Sequence, residues 1–169
     1  WEHKYLSEYL KLLKQLGCSG VEIAPSIIWA EPANSSMEDR KKFKDQIYKE
    51  GLEMIGLHAL LFSRPDLQLF LTNESRAATI DYLCKLIKLC ADLGGKQLVF
   101  GSPKNRKLHG RKYSECLNQA MDDLFQISEY GKRYNVFFCI EPLGPDETDF
   151  IQSIEEGGNI VNKVNHPFF

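Results

Sequence analysis

The feature that most limits what this chain can fold into is an asymmetry in its connections. Four short apolar runs, Val21–Ala24, Leu52–Leu57, Gln97–Phe100 and Val136–Ile140, alternate with segments of helical periodicity. The runs are dense in branched and aromatic side chains, as strands covered on both faces are. Tyr5, Leu6, Tyr9, Leu10, Leu13 and Leu16 recur at three- and four-residue steps before Gly17. Ile80, Leu83, Cys84, Ile87, Cys90 and Ala91 do the same before Gly94 and Gly95. Both patterns predict amphipathic helices with glycine stops. A more polar helix is expected over 37–48, a long one over 113–134 with Leu117, Ala120, Met121, Leu124 and Ile127 on one stripe, and a last helical stretch over 149–164. Connections after helices are short and glycine-rich. Connections after strands, 25–37, 58–73, 102–112 and 142–148, are long and carry the unusual residues.

Successive strands lie about 30 to 45 residues apart, one strand–helix–strand repeat each time. A parallel sheet of this kind is either open and doubly wound or closed into a barrel. Long loops confined to the C-terminal ends of the strands favour the barrel, whose active site is built from those loops. No GxGxxG or GxxxxGK[ST] follows any strand, so a nucleotide-binding open sheet has no support. The expected fold is α/β, an incomplete (β/α)8 TIM barrel of four to five βα units, forming one partial domain over 1–169. A complete barrel takes about 250 residues. The sequence opens on a helix and closes on Asn165-His166-Pro167-Phe168-Phe169, a turn leading toward a further strand, so additional strands are expected beyond both ends.

Composition narrows the function. Lys and Arg total 21 against 23 Asp and Glu, a net charge of −2, without the basic excess that nucleic-acid binding demands. No apolar run approaches the roughly 20 residues needed to cross a bilayer. The five cysteines, Cys18, Cys84, Cys90, Cys116 and Cys139, are odd in number and lack a CxxC spacing. Four of them fall on core patterns. Reduced core thiols and a cytoplasmic location are expected, rather than a disulfide framework or a zinc site.

The segments Gly20-Val-Glu-Ile-Ala-Pro, Gly56-Leu-His-Ala-Leu-Leu-Phe-Ser-Arg-Pro-Asp, Leu98-Val-Phe-Gly-Ser-Pro-Lys-Asn-Arg and Ile140-Glu-Pro-Leu, in this order, resemble the sugar phosphate isomerase/epimerase family, the xylose isomerase-like TIM barrels. The resemblance covers nearly the whole chain. It implies a metal-dependent isomerase or epimerase of a sugar or sugar phosphate, with proton transfer beside a metal-polarised carbonyl through an enediolate-like state. It implies a divalent metal, Mn or Mg with Zn or Co as alternatives, held by Glu, Asp, His and Glu at the ends of four strands. Glu141, at a strand end and followed by Pro, matches the first of these. In the family that ligand also serves as one of two acid/base carboxylates. The remaining ligands and the second carboxylate would lie outside this chain. Glu147, six positions on, matches a substrate-binding Glu of ketose epimerases. The implied ligand is a small carbohydrate, with neither nucleic acid nor membrane as a partner, and a homo-oligomer is compatible with the family. Two other readings stay open: a keto-polyol (inosose-type) dehydratase using the same metal, and a non-catalytic barrel fragment acting as a binding module. The abasic-site endonuclease branch needs histidines at several strand ends, and Phe100-Gly101-Ser102 supplies none.

Individual residues carry the chemistry unequally. Glu141 closes an all-apolar strand, where a carboxylate is costly to bury unless paired or bound to a cation. The alternative is a strand-end Glu in plain solvent. His58 ends the second strand, where it would point toward the site and meet a substrate hydroxyl. Trp29 and Phe62 follow the first and second strands and could stack on a sugar's C–H face, or simply pack. Lys104 and Arg106 follow the third strand, in a stretch with five Lys/Arg in nine residues. They could hold an anionic substrate group, or belong to a solvated basic loop. Arg64 is a weaker candidate of the same kind. Glu22, on the opposite strand face from Val21 and Ile23, is expected to anchor a hydrogen-bond network near the floor of the site. His3, His109 and His166 show no ligand spacing. Asn73 or Ser75 is expected to cap the helix that follows.

Overall fold

A computed structural model describes residues 3–169. The helices and strands run α1 (Leu6–Gln15), β1 (Gly20–Ile23), α2 (Pro25–Ile28), α3 (Met37–Lys49), β2 (Glu53–Leu57), α4 (Asn73–Leu93), β3 (Gln97–Phe100), α5 (Tyr113–Tyr134), β4 (Phe137–Ile140) and α6 (Ile154–Val164). All four strands fall within the apolar runs or one residue outside them. Short 3-10 turns occupy Pro32–Asn34 and Pro103–Arg106.

Helix boundaries follow local chemistry. Helix α4 begins well before its apolar stripe, because its first turn is polar and capped. Thr72 is the cap, in place of the expected Asn73 or Ser75: its hydroxyl accepts the Ser75 N–H at 3.1 Å. The Ser75 hydroxyl is occupied elsewhere, accepting from the Gln68 N–H at 2.8 Å and donating to the Asp66 carbonyl at 3.0 Å. The helix stops at Gly94, whose φ of 92° suits a residue without Cβ. Helix α2 is a single turn with Pro at its start, and it makes the segment after β1 less irregular than its sequence implies.

The four strands form one parallel sheet in the order β1-β2-β3-β4. Each strand pairs with its neighbour in sequence. An open doubly wound sheet reverses direction at a switch point, whereas a barrel does not. The progression here is that of a barrel, and the helices bury their stripes against the sheet. Leu83, Leu86, Ile87 and Leu93 of α4, Leu124 and Ile127 of α5, and Leu98 and Phe138 of the sheet lie in one core. On the far side of β4, the Phe138 N–H donates to the Phe168 carbonyl at 2.9 Å, and the Phe137 and Phe168 rings stack with centroids 4.8 Å apart. The closing turn therefore lies against the free edge of β4. Among the cysteines, Cys90 and Cys116 are buried and Cys18, Cys84 and Cys139 half-buried, all as free thiols. Burial pushes Cys90 up to about 12 and Cys84 up to about 11, the behaviour of unreactive core thiols.

One strand position controls the polarity of the sheet's inner face. Gly56 pairs with Glu22 on one side and Gln97 on the other. A Cβ at Gly56 would collide with the Gln97 carbonyl and come within 2.6 Å of Gln97 Cγ. The bare position lets the Gln97 side chain cross β2, where its Nε2 donates to Glu22 Oε1 at 2.6 Å. Glu22 thus has the hydrogen-bonded partner expected of it, two strands away. Gly56→Ala forces β2 and β3 apart and should cost about 2 kcal/mol, measurable as a lowered urea midpoint with an unchanged slope. An unaltered midpoint would show that the strands yield without cost.

Candidate active site

A cleft of about 600 Å³ opens at the C-terminal ends of the strands. Each strand contributes to its wall: Glu22 from β1, His58 after β2, Val99 with Gly101 and Ser102 at β3, and Glu141 after β4. Phe62, Lys104, Asn105, Leu143 and Glu147 come from the loops.

Glu141 and His58 occupy equivalent positions, one residue past their strands, and both extend the ladder. The Glu141 N–H donates to the Phe100 carbonyl at 3.1 Å, and the His58 N–H donates to the Ile23 carbonyl at 3.0 Å. This pins both backbones and leaves the side chains at the mouth of the sheet. The Glu141 carboxylate lies over Gly101, where a Cβ would take the place of Oε2. Among the described residues nothing hydrogen-bonds or ion-pairs with that carboxylate. Glu147 sits on a tight turn, its N–H donating to the Gly144 carbonyl at 2.9 Å. Phe62 is 84% exposed at the rim. Lys104 is exposed and lines the cleft.

Two of the expected contact residues are elsewhere. Trp29 is half-buried and packs edge-to-face on Phe43 of α3, with centroids 5.2 Å apart, because α2 turns the chain back onto that helix. It does not line the cleft. Arg106 is 0% exposed, although the other Lys and Arg residues of the basic stretch face solvent. The 3-10 turn Pro103–Arg106 carries it inward, where Nη2 donates to the main-chain carbonyl of Glu141 at 2.8 Å. Its Nε and Nη1 have no partner among the described residues. Burial pushes the guanidinium down to about 10, against the opposing pull of the Glu141 and Glu147 charges. Arg64 is committed to Asp66, with bonds of 2.9 and 2.6 Å, and lies over the Tyr82 ring.

Other site residues escaped notice in the sequence. Ser102 has a φ of 39°, unusual for a non-glycine residue, and its buried hydroxyl has no partner among the described residues. Asn105 is 3% exposed and joins two loops: its Nδ2 donates to the carbonyls of Arg64 at 2.8 Å and Leu67 at 2.6 Å, while its own carbonyl accepts the Leu69 N–H at 2.9 Å. His109 Nε2 lies 3.0 Å from Gln68 Oε1, and Arg111 Nη1 donates to the Phe70 carbonyl at 3.3 Å, closing the same seam. The sequence signal for these residues is Gly101-Ser-Pro after a strand, and the basic residues around Asn105 give no sign of its burial.

For a metal, the described residues offer one suitable donor rather than a set. No three His, Cys, Asp or Glu among them lie close enough to hold an ion together. Glu141 fits the part of a single ligand, since its carboxylate faces the cleft unpaired above a bare Cα.

The sequence pattern of the xylose isomerase-like TIM barrel family matches residues 10–169. The chain belongs to that family. No curated protein sequence matches it. Solved structures similar to this xylose isomerase-like barrel include the 3-keto-D-glucoside 4-epimerase of E. coli, with TM-score 0.79 and 15% identity over 99% of this chain and 62% of that one. The D-psicose 3-epimerase of Clostridium cellulolyticum H10 with D-tagatose has TM-score 0.77 and 17% identity over 98% and 56%. An L-ribulose 3-epimerase has TM-score 0.74 and 16% identity over 99% and 54%. At these identities the likeness is one of fold. The chain spans 54 to 62% of the length of these three structures. Among the described residues no helix is long and apolar enough to cross a membrane.

Proposed function

We propose that this chain forms part of a metal-dependent isomerase or epimerase of a sugar or sugar phosphate. The observation that carries the reading is the Glu141 carboxylate, unpaired over Gly101 at a strand end and facing a cleft that His58 and Glu147 also line. The similar folds support it, because the three structures named above are all epimerases of sugars. In this reading Glu141 is one ligand of a divalent metal, Mn or Mg, whose other ligands lie outside residues 3–169.

When bound, such a metal polarises a carbonyl and the adjacent hydroxyl and so acidifies the neighbouring C–H. The chain's own residues do the rest. Glu141 can take or return that proton at a carboxylate oxygen. His58 and Glu147 offer hydrogen bonds to sugar hydroxyls. Phe62 covers an apolar C–H face. Lys104 meets a phosphate where the sugar carries one. Trp29 and Arg106 are left out of this contact set, the first being packed on Phe43 and the second fully buried.

The test is to incubate the full-length protein with Mn and a series of ketoses and ketose phosphates in D2O. Deuterium entering the carbon beside the carbonyl, with the epimer appearing, is the expected result. A folded, Mn-loaded protein that exchanges no substrate proton in the series would overturn the reading. Gly101→Ala gives a milder check. Its Cβ displaces the Glu141 carboxylate, so Mn affinity should fall by roughly tenfold, as for changes that misdirect a ligand, with little loss of thermal stability.

A further inference from the structure

From its burial and its bond to Glu141, we infer that Arg106 is a positioning residue, which holds the end of β4 so that the Glu141 carboxylate stays above Gly101. The inference rests on the reading of Glu141 as a metal ligand. The chain's other buried or half-buried arginines each pair with a carboxylate. Arg40, 6% exposed, has Asp92 at 2.6 Å. Arg64 has Asp66 at 2.6 Å. Arg76 has the buried Asp123, gripped by both Nε and Nη2. A buried cation is costly unless paired, and these residues follow the rule. Arg106 breaks it. It is the most enclosed of the four, and among the described residues no carboxylate hydrogen-bonds or ion-pairs with it, the Glu141 and Glu147 charges acting on it only from farther away. Its one hydrogen bond goes to a main-chain carbonyl, that of the residue proposed as ligand.

A guanidinium serving only to fill space or stitch loops would do better with a carboxylate, or be replaced by an apolar side chain. Retaining an unpaired charge there makes sense where its fixed fork aims a particular piece of backbone. The turn that delivers it is itself under constraint. Ser102 precedes it at a φ of 39° with a buried, unpartnered hydroxyl, and Asn105 locks it to the preceding loop. Strain of this kind persists only where surrounding contacts over-determine it. The turn is therefore a rigid arm, and the Arg106 side chain is its contact with β4. Glu141 is held from two sides: its N–H by Phe100 in the ladder and its carbonyl by Arg106. With both main-chain groups fixed, the Cα from which the carboxylate extends is placed before any ion arrives.

The experiment compares wild type, Arg106→Met and Arg106→Lys in the full-length protein by calorimetric Mn titration, thermal midpoint and amide exchange at Glu141 without metal. Positioning predicts that folded Arg106→Met loses Mn affinity by roughly tenfold to a hundredfold. Arg106→Lys, which keeps the charge and one donor, should fall between the two. The Glu141 amide should exchange faster in both variants. A folded Arg106→Met with a lower midpoint but unchanged or tighter Mn binding would overturn the inference, since a structural or purely electrostatic role gives that result. If Arg106→Met does not fold, Arg106→Lys decides: wild-type affinity there overturns it. Should the wild type itself take up no Mn, the metal reading of Glu141 falls separately, and the exchange rate decides the positioning role. Unchanged protection at Glu141 then overturns it.

Discussion

Replacing Glu141 with glutamine should abolish high-affinity Mn binding and lower turnover by roughly a thousandfold, a loss typical of removing a positioned acid/base group. The fold should survive the change. The carboxylate is exposed and has no hydrogen-bond or ion-pair partner among the described residues, so the change breaks no bond and removes only one of the two charges that offset the burial of Arg106. Surface changes of that kind usually stay within about 0.5 kcal/mol. The backbone bond to Phe100 is untouched by the substitution. Calorimetric titration, a turnover assay and a thermal scan on the full-length variant check all three points. Retained Mn stoichiometry together with retained activity would remove Glu141 from the mechanism. A parallel Glu147→Gln variant should mainly raise KM, as loss of a binding contact does.

Asn105→Ala should be among the most destabilising single changes in the molecule although it deletes no core hydrocarbon. Its buried amide satisfies two carbonyls from the preceding loop. Truncation removes both bonds and leaves two acceptors stranded. With about 1 to 3 kcal/mol for each unsatisfied buried group, a total near 3 kcal/mol is expected. In a chain of this size that lowers the thermal midpoint by roughly 10 °C. Asn105→Asp should be no better at neutral pH, because it presents an acceptor to acceptors. Urea or thermal denaturation decides the matter, and a loss below about 1 kcal/mol would show that the loops hold together without the amide.

What could be read from the sequence follows from what hydrophobic patterning reports. Runs such as Phe137 to Ile140 and the stripe through Leu83, Ile87 and Cys90 are direct records of burial, so strands, helices and the barrel-like order were legible. The gathering of Glu141, His58, Glu147, Lys104 and Phe62 around one cleft follows from geometry, since parallel strands deliver their ends to the same side. Side-chain direction within irregular turns leaves no such record. Lys104 and Arg106 looked equivalent, but a 3-10 turn sends one outward and the other into the interior. Trp29 followed a strand as a site aromatic would, until a single helical turn placed it against Phe43. The cap moved to Thr72 because backbone conformation decides between neighbouring polar residues. The Glu22–Gln97 bond depends on an empty place in the strand between them, a three-body condition that no local window contains.

The seam joining the loops after β2 and β3 bears on how the family's barrels can diversify. Loops on such scaffolds are commonly treated as independent cassettes, each open to exchange without regard to the next. Here the segment carrying His58 and Phe62 and the segment carrying Lys104 are one mechanical unit, sewn through Asn105, His109 and Arg111. Grafting either one alone would cut the stitches and loosen the other, so the shape of this side of the cleft has to be inherited, or engineered, as a matched pair.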